Sequence, residues 1–520
     1  MSLLFFIFAI IFHSWLSFHI FALGDWGFFY NENLIENNLP ISWRGDVSFG
    51  NFFDGIWAYP RQLIYWLFGF LGFDWNIAEK FIILWPIVFL LPLACFLLLE
   101  KIFKNPVSAL VGSLYFSLSS YFLAIATHGH QFLTGAAIWG ILAIYFCMQL
   151  VEKKRAEWAV LAGMMLAVAG YYDFRMAYIF FFVCGAFLFI SWVQEMKKAC
   201  PSGASSQRRG KWKRDKGETE GELGMKNYPP LSFGHLPAGR QVSVPKGGED
   251  AEDALALHSD GDGSRVTYHG TLLGKNEDQL PIPPSTGDFP SSEGKMPSAF
   301  SHFLLSVFHL PLTRQSIVFV LVFIGLNIFW VLPFMSVGSL GGDNAAMGRD
   351  LFGSHYFELD DAMYLSHPFW TGYGVKWFSD QPTPWWLSIL AILAWVGFFV
   401  GVKNGKRRNP PLSFPNGTPS GRTSPPSTEG ERNPDWEENR RRRYILFFAG
   451  VAVVGILLSK QTSQPFDSLY YWLYDNMPGF NAFREASKFY VLIALGYAVG
   501  IASLVEWLLP KREEKNNTSL

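Results

Sequence analysis

Residues 3–23 read LLFFIFAIIFHSWLSFHIFAL and are followed at once by Gly24-Asp25-Trp26-Gly27. A run of this length suffices to cross a hydrocarbon core of roughly 30 Å. It has no basic stretch before it and no small-residue cleavage site, and it is longer than the apolar part of a secretory signal. It is therefore read as an uncleaved first span, with Asp25 at its end, at the mouth of whatever the bundle encloses.

Outward from that stretch, apolar runs of similar kind recur at 79–99, 107–126, 133–150, 157–171, 176–193, 315–337, 385–402, 444–459 and 487–508. The fold expected is all-α, a polytopic transmembrane helix bundle of about ten spans with extracytoplasmic loops. Half of the 520 residues are hydrophobic (50%) and 17% are aromatic, yet mean hydropathy is only +0.18, because very apolar and very polar blocks alternate. The net charge of −1 is spread over loops and forms no single basic face, so nucleic acid is not an expected partner. Cys95, Cys147 and Cys184 fall inside apolar runs and Cys200 follows Lys197-Lys198, a pattern that fits neither a disulfide framework nor a zinc site.

Orientation follows from the basic residues, which collect in short cytoplasmic loops. The clusters are Lys101 with Lys104, Lys153-Lys154-Arg155, Lys197-Lys198, Lys406-Arg407-Arg408, Arg440 to Arg443, and Lys511-Arg512. Ten spans place all of them on one side and both termini in the cytoplasm. The extracytoplasmic face then receives residues 24–78, the turns 127–132 and 172–175, and the loops 338–384 and 460–486, all poor in Lys and Arg. Residues 63–73 are apolar but too short to span, which predicts an interfacial or re-entrant helix.

The chain thus divides into an N-terminal bundle (1–198), a polar insertion (199–300), further spans with an outer loop (301–402), a second polar insertion (403–439) and C-terminal spans (440–520). Both insertions are rich in Gly, Pro, Ser and charge, a composition that cannot bury enough surface to offset the entropy of ordering, so cytoplasmic disorder is expected. Pro229-Pro230-Leu231-Ser232-Phe233 recurs as Pro410-Pro411-Leu412-Ser413-Phe414, each followed by a Gly-Arg pair, which suggests an inserted repetitive element without a role in the site.

Candidate chemistry lies on the outer face. Asp25 is either a solvated cap or a general base at an outward-opening cavity, with Glu32, Glu36, Asp46 and Asp54 as competitors in the same loop. Asp173 stands in the short turn Tyr171-Tyr172-Asp173-Phe174-Arg175, where it either pairs with Arg175 or converges with Asp25 to orient an acceptor hydroxyl or share a divalent cation. His128 and His130 in Thr127-His128-Gly129-His130-Gln131 have no Cys or acid beside them to complete a metal set, leaving a phosphate, a sugar hydroxyl or the membrane interface as their partner. Arg484 and Lys488, four residues apart where the last span begins, predict an anion site on one helix face. The loop 338–384 adds Asp343, Arg349, Asp360, Asp361 and His367, with Trp370 and Trp377, and Trp385 and Trp386 follow it; these indoles suit either sugar stacking or an aromatic belt.

Taken in order along the chain, Asp25 after span one, His128-Gly129-His130-Gln131, the Asp173 turn and Phe483-Arg484-Glu485-Ala486-Ser487-Lys488-Phe489 resemble the GT-C superfamily of polytopic membrane glycosyltransferases. The likeness is greatest to the bacterial branch with AftD-like arabinofuranosyltransferases and YfhO-like membrane proteins. It covers most of the apolar portion and neither insertion. It implies a polyprenyl-phosphate-linked sugar as donor, a cell-envelope glycan, lipid or protein as acceptor, and direct displacement at the anomeric carbon. By that likeness Asp25 is the base, Asp173 a second acid near the acceptor or a metal, and Arg484 with Lys488 the phosphate clamp, with His128, His130 and Arg175 beside them. The chain departs from the family in lacking a Trp-Trp-Asp motif and an adjacent Asp-Glu pair in the first loop. No soluble carbohydrate-binding domain follows the last span before Leu520, so a minimal core or a truncated frame is expected.

Rival readings are a transporter or flippase of lipid-linked glycans and a non-catalytic membrane scaffold. No inverted repeat or matched pair of broken helices favours the former. Asp25→Asn separates catalysis from both, because it removes a base and keeps the shape. Sugar transfer by membranes bearing this variant is expected to be abolished with lipid binding intact; retained turnover removes Asp25 as the base.

Overall fold

In a computed structural model of the chain the residues described are 2–19, 30, 33–38, 43–44, 51–52, 56–127, 129–199, 310–336, 358–365, 385–404, 434–483 and 485–509. They belong to one unit formed by Met1–Pro201 and Ala299–Leu520. Almost everything ordered in them is helical; the exception is a two-residue antiparallel pair, Trp43–Arg44 with Asn51–Phe52. The helices that matter below are α1 (Ser2–Ile11), α2 (Tyr59–Phe70), α3 (Trp75–Phe103), α4 (Pro106–Ser117), α5 (Gln131–Lys153), α6 (Ala156–Tyr172), α7 (Phe174–Ala199), α8 (Pro311–Ser336), α9 (Trp386–Asn404), α10 (Pro434–Ser459) and α11 (Tyr490–Leu508).

Seven of the described helices are long and apolar enough to cross a membrane: those over Trp75–Phe103, Gln131–Lys153, Phe174–Lys197, Pro311–Leu332, Trp386–Lys403, Glu437–Ser459 and Ala486–Leu508. The other three expected spans coincide with shorter apolar helices, α1, α4 and α6. Two of them are shorter than the apolar runs that hold them. After Ile11 the ring of His13 bonds the Ile10 carbonyl and the Ser17 hydroxyl donates to the Ser14 carbonyl, and such side-chain bonds compete with helix continuation. The run 107–126 is broken near Leu118-Ser119 into α4 and a helix over Ser120–Thr127. At the other insertion boundary helix extends further than expected: α10 begins at Pro434, inside the block read as disordered, and Glu437 is fixed there by an ion pair with Lys104. The apolar segment 63–73 is largely taken up by α2.

Packing places α11 at the centre of one group, against α4, α9 and α10, and α5 at the centre of another, against α3, α6 and α7. Every residue from Tyr490 to Ser503 is buried. By contrast only 11% of the span in α8 is buried within the protein, so that helix is peripheral. The α9–α11 crossing is a backbone contact: a Cβ on Gly397 would lie 1.8 Å from the Gly500 carbonyl oxygen, and one on Gly500 would lie 2.4 Å from that of Ala394. Small residues that let backbones touch are a common device for apolar helices that gain little from hydrophobic burial against one another.

A charged pair is buried at the start of α3. Glu79 and Lys80, at the start of α3, have fully buried side chains 2.6 Å apart, and Lys80 Nζ also donates to the His19 carbonyl (2.7 Å) while Trp75 Nε1 donates to Glu79 (3.1 Å). Residues 80–84 form a π turn at the same point. Among the described residues, basic clusters gather at one end of the bundle, laced by acids: Glu152 accepts from Lys101, Arg440 and the Tyr444 hydroxyl, Glu195 from Lys154, and Glu506 from Asn105, Ser108 and Arg441.

Gly397→Ala drives a methyl group into the α9–α11 contact and is expected to cost about 1–3 kcal/mol. Thermal unfolding in detergent measures it against Gly185→Ala, where no atom lies within 4 Å of the added carbon and no loss is expected. Equal stability of the two variants contradicts the close crossing.

Candidate functional site

At the end of α5, α6 and α7 away from the basic clusters, three segments converge on a cavity of about 350 Å³. The α6–α7 turn contributes Tyr172, Asp173 and Arg175; the turn before α5 contributes Gly129 and His130; α2 contributes Arg61, Gln62 and Tyr65, with Trp57 just before it and Trp75 just after. Gly129 has φ +91°, a left-handed conformation that costs glycine little and lets the chain reverse tightly into α5. A Cβ on Gly135 would lie 2.5 Å from the Tyr172 ring, so the glycine gives that ring room, and the Tyr172 hydroxyl donates to the Ile82 carbonyl in the π turn (2.8 Å).

Asp173 caps α7. Its Oδ1 accepts from the backbone N–H groups of Arg175 (2.9 Å) and Met176 (3.2 Å), while Arg175 Nη2 lies 2.6 Å from Oδ2 and Arg175 Nε bridges the two oxygens. Burial by itself would raise this carboxyl, but the Arg175 guanidinium, aided by the Lys488 charge and the Met176 N–H, holds it below the usual carboxylate range. A carboxylate so saturated is a weak base. Both oxygens already face cationic or amide N–H groups, so Asp173 does not fit ligation of a divalent cation. Among the described residues no group of three or more His, Cys, Asp and Glu side chains could hold a metal ion.

Lys488 reaches the same neighbourhood from the other side. Phe480, Phe483 and Phe489 pack together with centroids 4.8–5.7 Å apart, and Tyr178 on α7 joins them by its ring contact with Phe483 and its hydroxyl bond to the Pro478 carbonyl. That aromatic cluster fixes residues 486–489 as a 3-10 turn before α11, so the side-chain spacing of an α-helical face does not apply to Lys488. Its buried ammonium pairs with Glu485, and Glu485 in turn acts on Arg175. Lys488 stands behind the Asp173–Arg175 pair and does not line the cavity.

Arg61 is the residue that sequence reasoning missed. It is only 8% exposed; its guanidinium stacks on Phe132 with Cζ 3.6 Å from the ring centroid, and Nη1 donates to the Tyr172 carbonyl (3.2 Å). Among the described residues its Nε has no acceptor and no carboxylate lies within ion-pair distance. Burial lowers it from its ordinary value, opposed by the nearby Tyr65, Tyr172 and Asp173, yet arginine stays charged in proteins. One turn further on α2, the buried Tyr65 ring stacks on Trp75 (5.0 Å), and its hydroxyl too has no partner among the described residues. The available signal was an arginine at the start of a short apolar helix in 24–78, a segment with no lysine and only Arg44 besides.

The structure thus brings together Asp173, Arg175 and His130, with Lys488 coupled from behind. Asp25, His128 and Arg484 lie outside the described residues, as do Glu32, Asp46, Asp54, Asp343, Arg349, His367, Trp370 and Trp377. Glu36 is exposed, Asp361 is buried in the capping box of Leu359–Tyr364, and Trp385 and Trp386 are exposed. No family model, curated protein or solved structure matches this chain.

Asp173→Asn is expected to lower stability by roughly 2 kcal/mol, the scale of lost charge-assisted hydrogen bonds. Because the folded carboxyl sits below its ordinary value of about 3.9, its contribution is full above that pH and is lost as pH falls through the lower folded value. The melting-temperature gap between wild type and variant should stay constant from neutral pH to about pH 5 and shrink in stronger acid. A gap that widens in acid contradicts the assignment.

Proposed function

We propose that this protein is an integral membrane glycosyltransferase that moves a sugar from a polyprenyl-phosphate donor to a cell-envelope glycan, lipid or protein acceptor on the extracytoplasmic face. The observation that carries the reading is Arg61, a buried guanidinium with a free Nε and no carboxylate partner among the described residues, facing a cavity beside Arg175 and His130. Such a cation calls for an anion, and a lipid phosphate leaving from an anomeric carbon is one.

In this reading α1, α4 and α6 complete a GT-C-like set of ten spans, and the basic clusters mark the cytoplasmic end. The cavity is then outward, in agreement with the Lys- and Arg-poor segments that line it. Displacement at the anomeric carbon builds negative charge on the departing phosphate, which preset cations stabilise without reorganising. Arg61 and Arg175 fill that role. Asp173 keeps Arg175 in place, and Asp25 is left as the base toward the acceptor hydroxyl. Trp57, Tyr65 and Trp75 supply flat apolar walls suited to a sugar ring.

Transfer of radiolabelled sugar from polyprenyl-phosphate donors by membranes bearing wild type or Arg61→Ala tests this. Arg61→Ala is expected to lower transfer by roughly 10²–10³-fold, the usual cost of removing one such donor. If wild type transfers from no donor tried while a lipid-linked sugar binds in an Arg61-dependent way, a transporter of lipid-linked glycans replaces the enzyme.

A further inference from the structure

The opposite end of the bundle holds a second built cavity, of about 520 Å³, between α7 and α10 where they pass the end of α5. Its polar side is Lys154, Arg440 and Arg443 with Glu152 and Glu195; its apolar side is Phe187, Ile190, Leu446 and Phe447. Glu152 is engaged by Lys101, Arg440 and Tyr444, and Glu195 by Lys154 through Oε1, its buried Oε2 having no partner among the described residues. Arg443 is different. Its Nη1 donates to the Gln194 amide oxygen and its Nε to the Asn439 carbonyl (3.2 Å), both neutral, and among the described residues it has no carboxylate partner. Lys101, Lys154, Arg440 and Arg443 set against Glu152 and Glu195 leave an excess of two positive charges, and Arg443 is the one of these cations with no carboxylate partner among the described residues.

The apolar side is open. Ile190 and Leu446 are 45% and 49% exposed, and the Phe187 ring packs on Tyr444 and Phe447 to floor a groove running from the charges toward the middle of two long apolar helices. A guanidinium with spare N–H groups suits a phosphate, and cationic pockets between spans suit lipid headgroups. We infer that this cavity binds the phosphate of an anionic membrane lipid, with Arg443 on the headgroup and an acyl chain along Ile190 and Leu446. A soluble phosphate would leave the apolar wall uncovered, and a zwitterionic headgroup would bring its own cation against Lys154 and Arg443.

Native mass spectrometry of the purified full chain in detergent tests this with phosphatidylglycerol, phosphatidylcholine of matched chains, and glycerol phosphate as a headgroup without chains. Wild type is expected to bind phosphatidylglycerol about ten-fold tighter than phosphatidylcholine, the scale of one charged hydrogen-bonded pair. Arg443→Gln should remove most of that preference and Arg443→Lys should restore part of it. Leu446→Trp, which fills the groove from an exposed position, should weaken phosphatidylglycerol binding with the charges intact. Equal binding of the two lipids by wild type overturns the inference, as does a preference unchanged in Arg443→Gln. Glycerol phosphate displacing the lipid as well as added phosphatidylglycerol does would show a site for soluble phosphate instead. If Arg443→Gln fails to fold, the wild-type lipid ratio and Leu446→Trp still decide. None of these outcomes depends on sugar transfer.

Discussion

A charge withdrawn from water into this bundle must meet an opposite charge or a set of hydrogen-bond partners, because an isolated buried ion costs far more than the fold can supply. Glu79 with Lys80, Asp173 with Arg175, and Lys488 with Glu485 all obey that constraint. Arg61 does not obey it. Its guanidinium is held by a ring, one carbonyl and distant charges, and its buried Nε has no acceptor among the described residues, in a side chain that lines a cavity. A group kept in that state is poised for a ligand, and the shape of its surroundings decides which.

Those surroundings depend on turns more than on spans. Asp173 locks the α6–α7 turn by capping the helix that follows and by gripping Arg175, and the phenylalanine cluster of residues 480–489 brings Lys488 up behind the pair. Gly129 turns the chain so that His130 and Phe132 face α2. The three turns come from parts of the sequence far apart, and their common ground is the end of α5, α6 and α7 away from the described basic clusters.

Seven spans were legible because apolar length is a direct signal: seven of the ten expected runs hold helices long enough to cross, and the other three hold only shorter apolar helices. A shared end was legible for three of the basic clusters, since Glu152, Glu195, Glu437 and Glu506 hold Lys101, Lys104, Lys154, Arg440 and Arg441, while Lys406-Arg407-Arg408 and Lys511-Arg512 lie outside the described residues. The pairing of Asp173 with Arg175 could be posed from their spacing in the turn, but the sequence could not say that pairing and capping together saturate the carboxylate. Arg61 was hidden because its meaning lies in what does not stand beside it. No sequence pattern reports a missing carboxylate.

The most direct measurement of the central claim is a cryo-electron microscopy structure of the protein in lipid nanodiscs with bound polyprenyl phosphate. The account predicts a phosphate oxygen within hydrogen-bond reach of the Arg61 guanidinium, with Arg175 beside it and the prenyl chain leading out between the helices. A phosphate held elsewhere, with Arg61 still facing an open cavity, would contradict it.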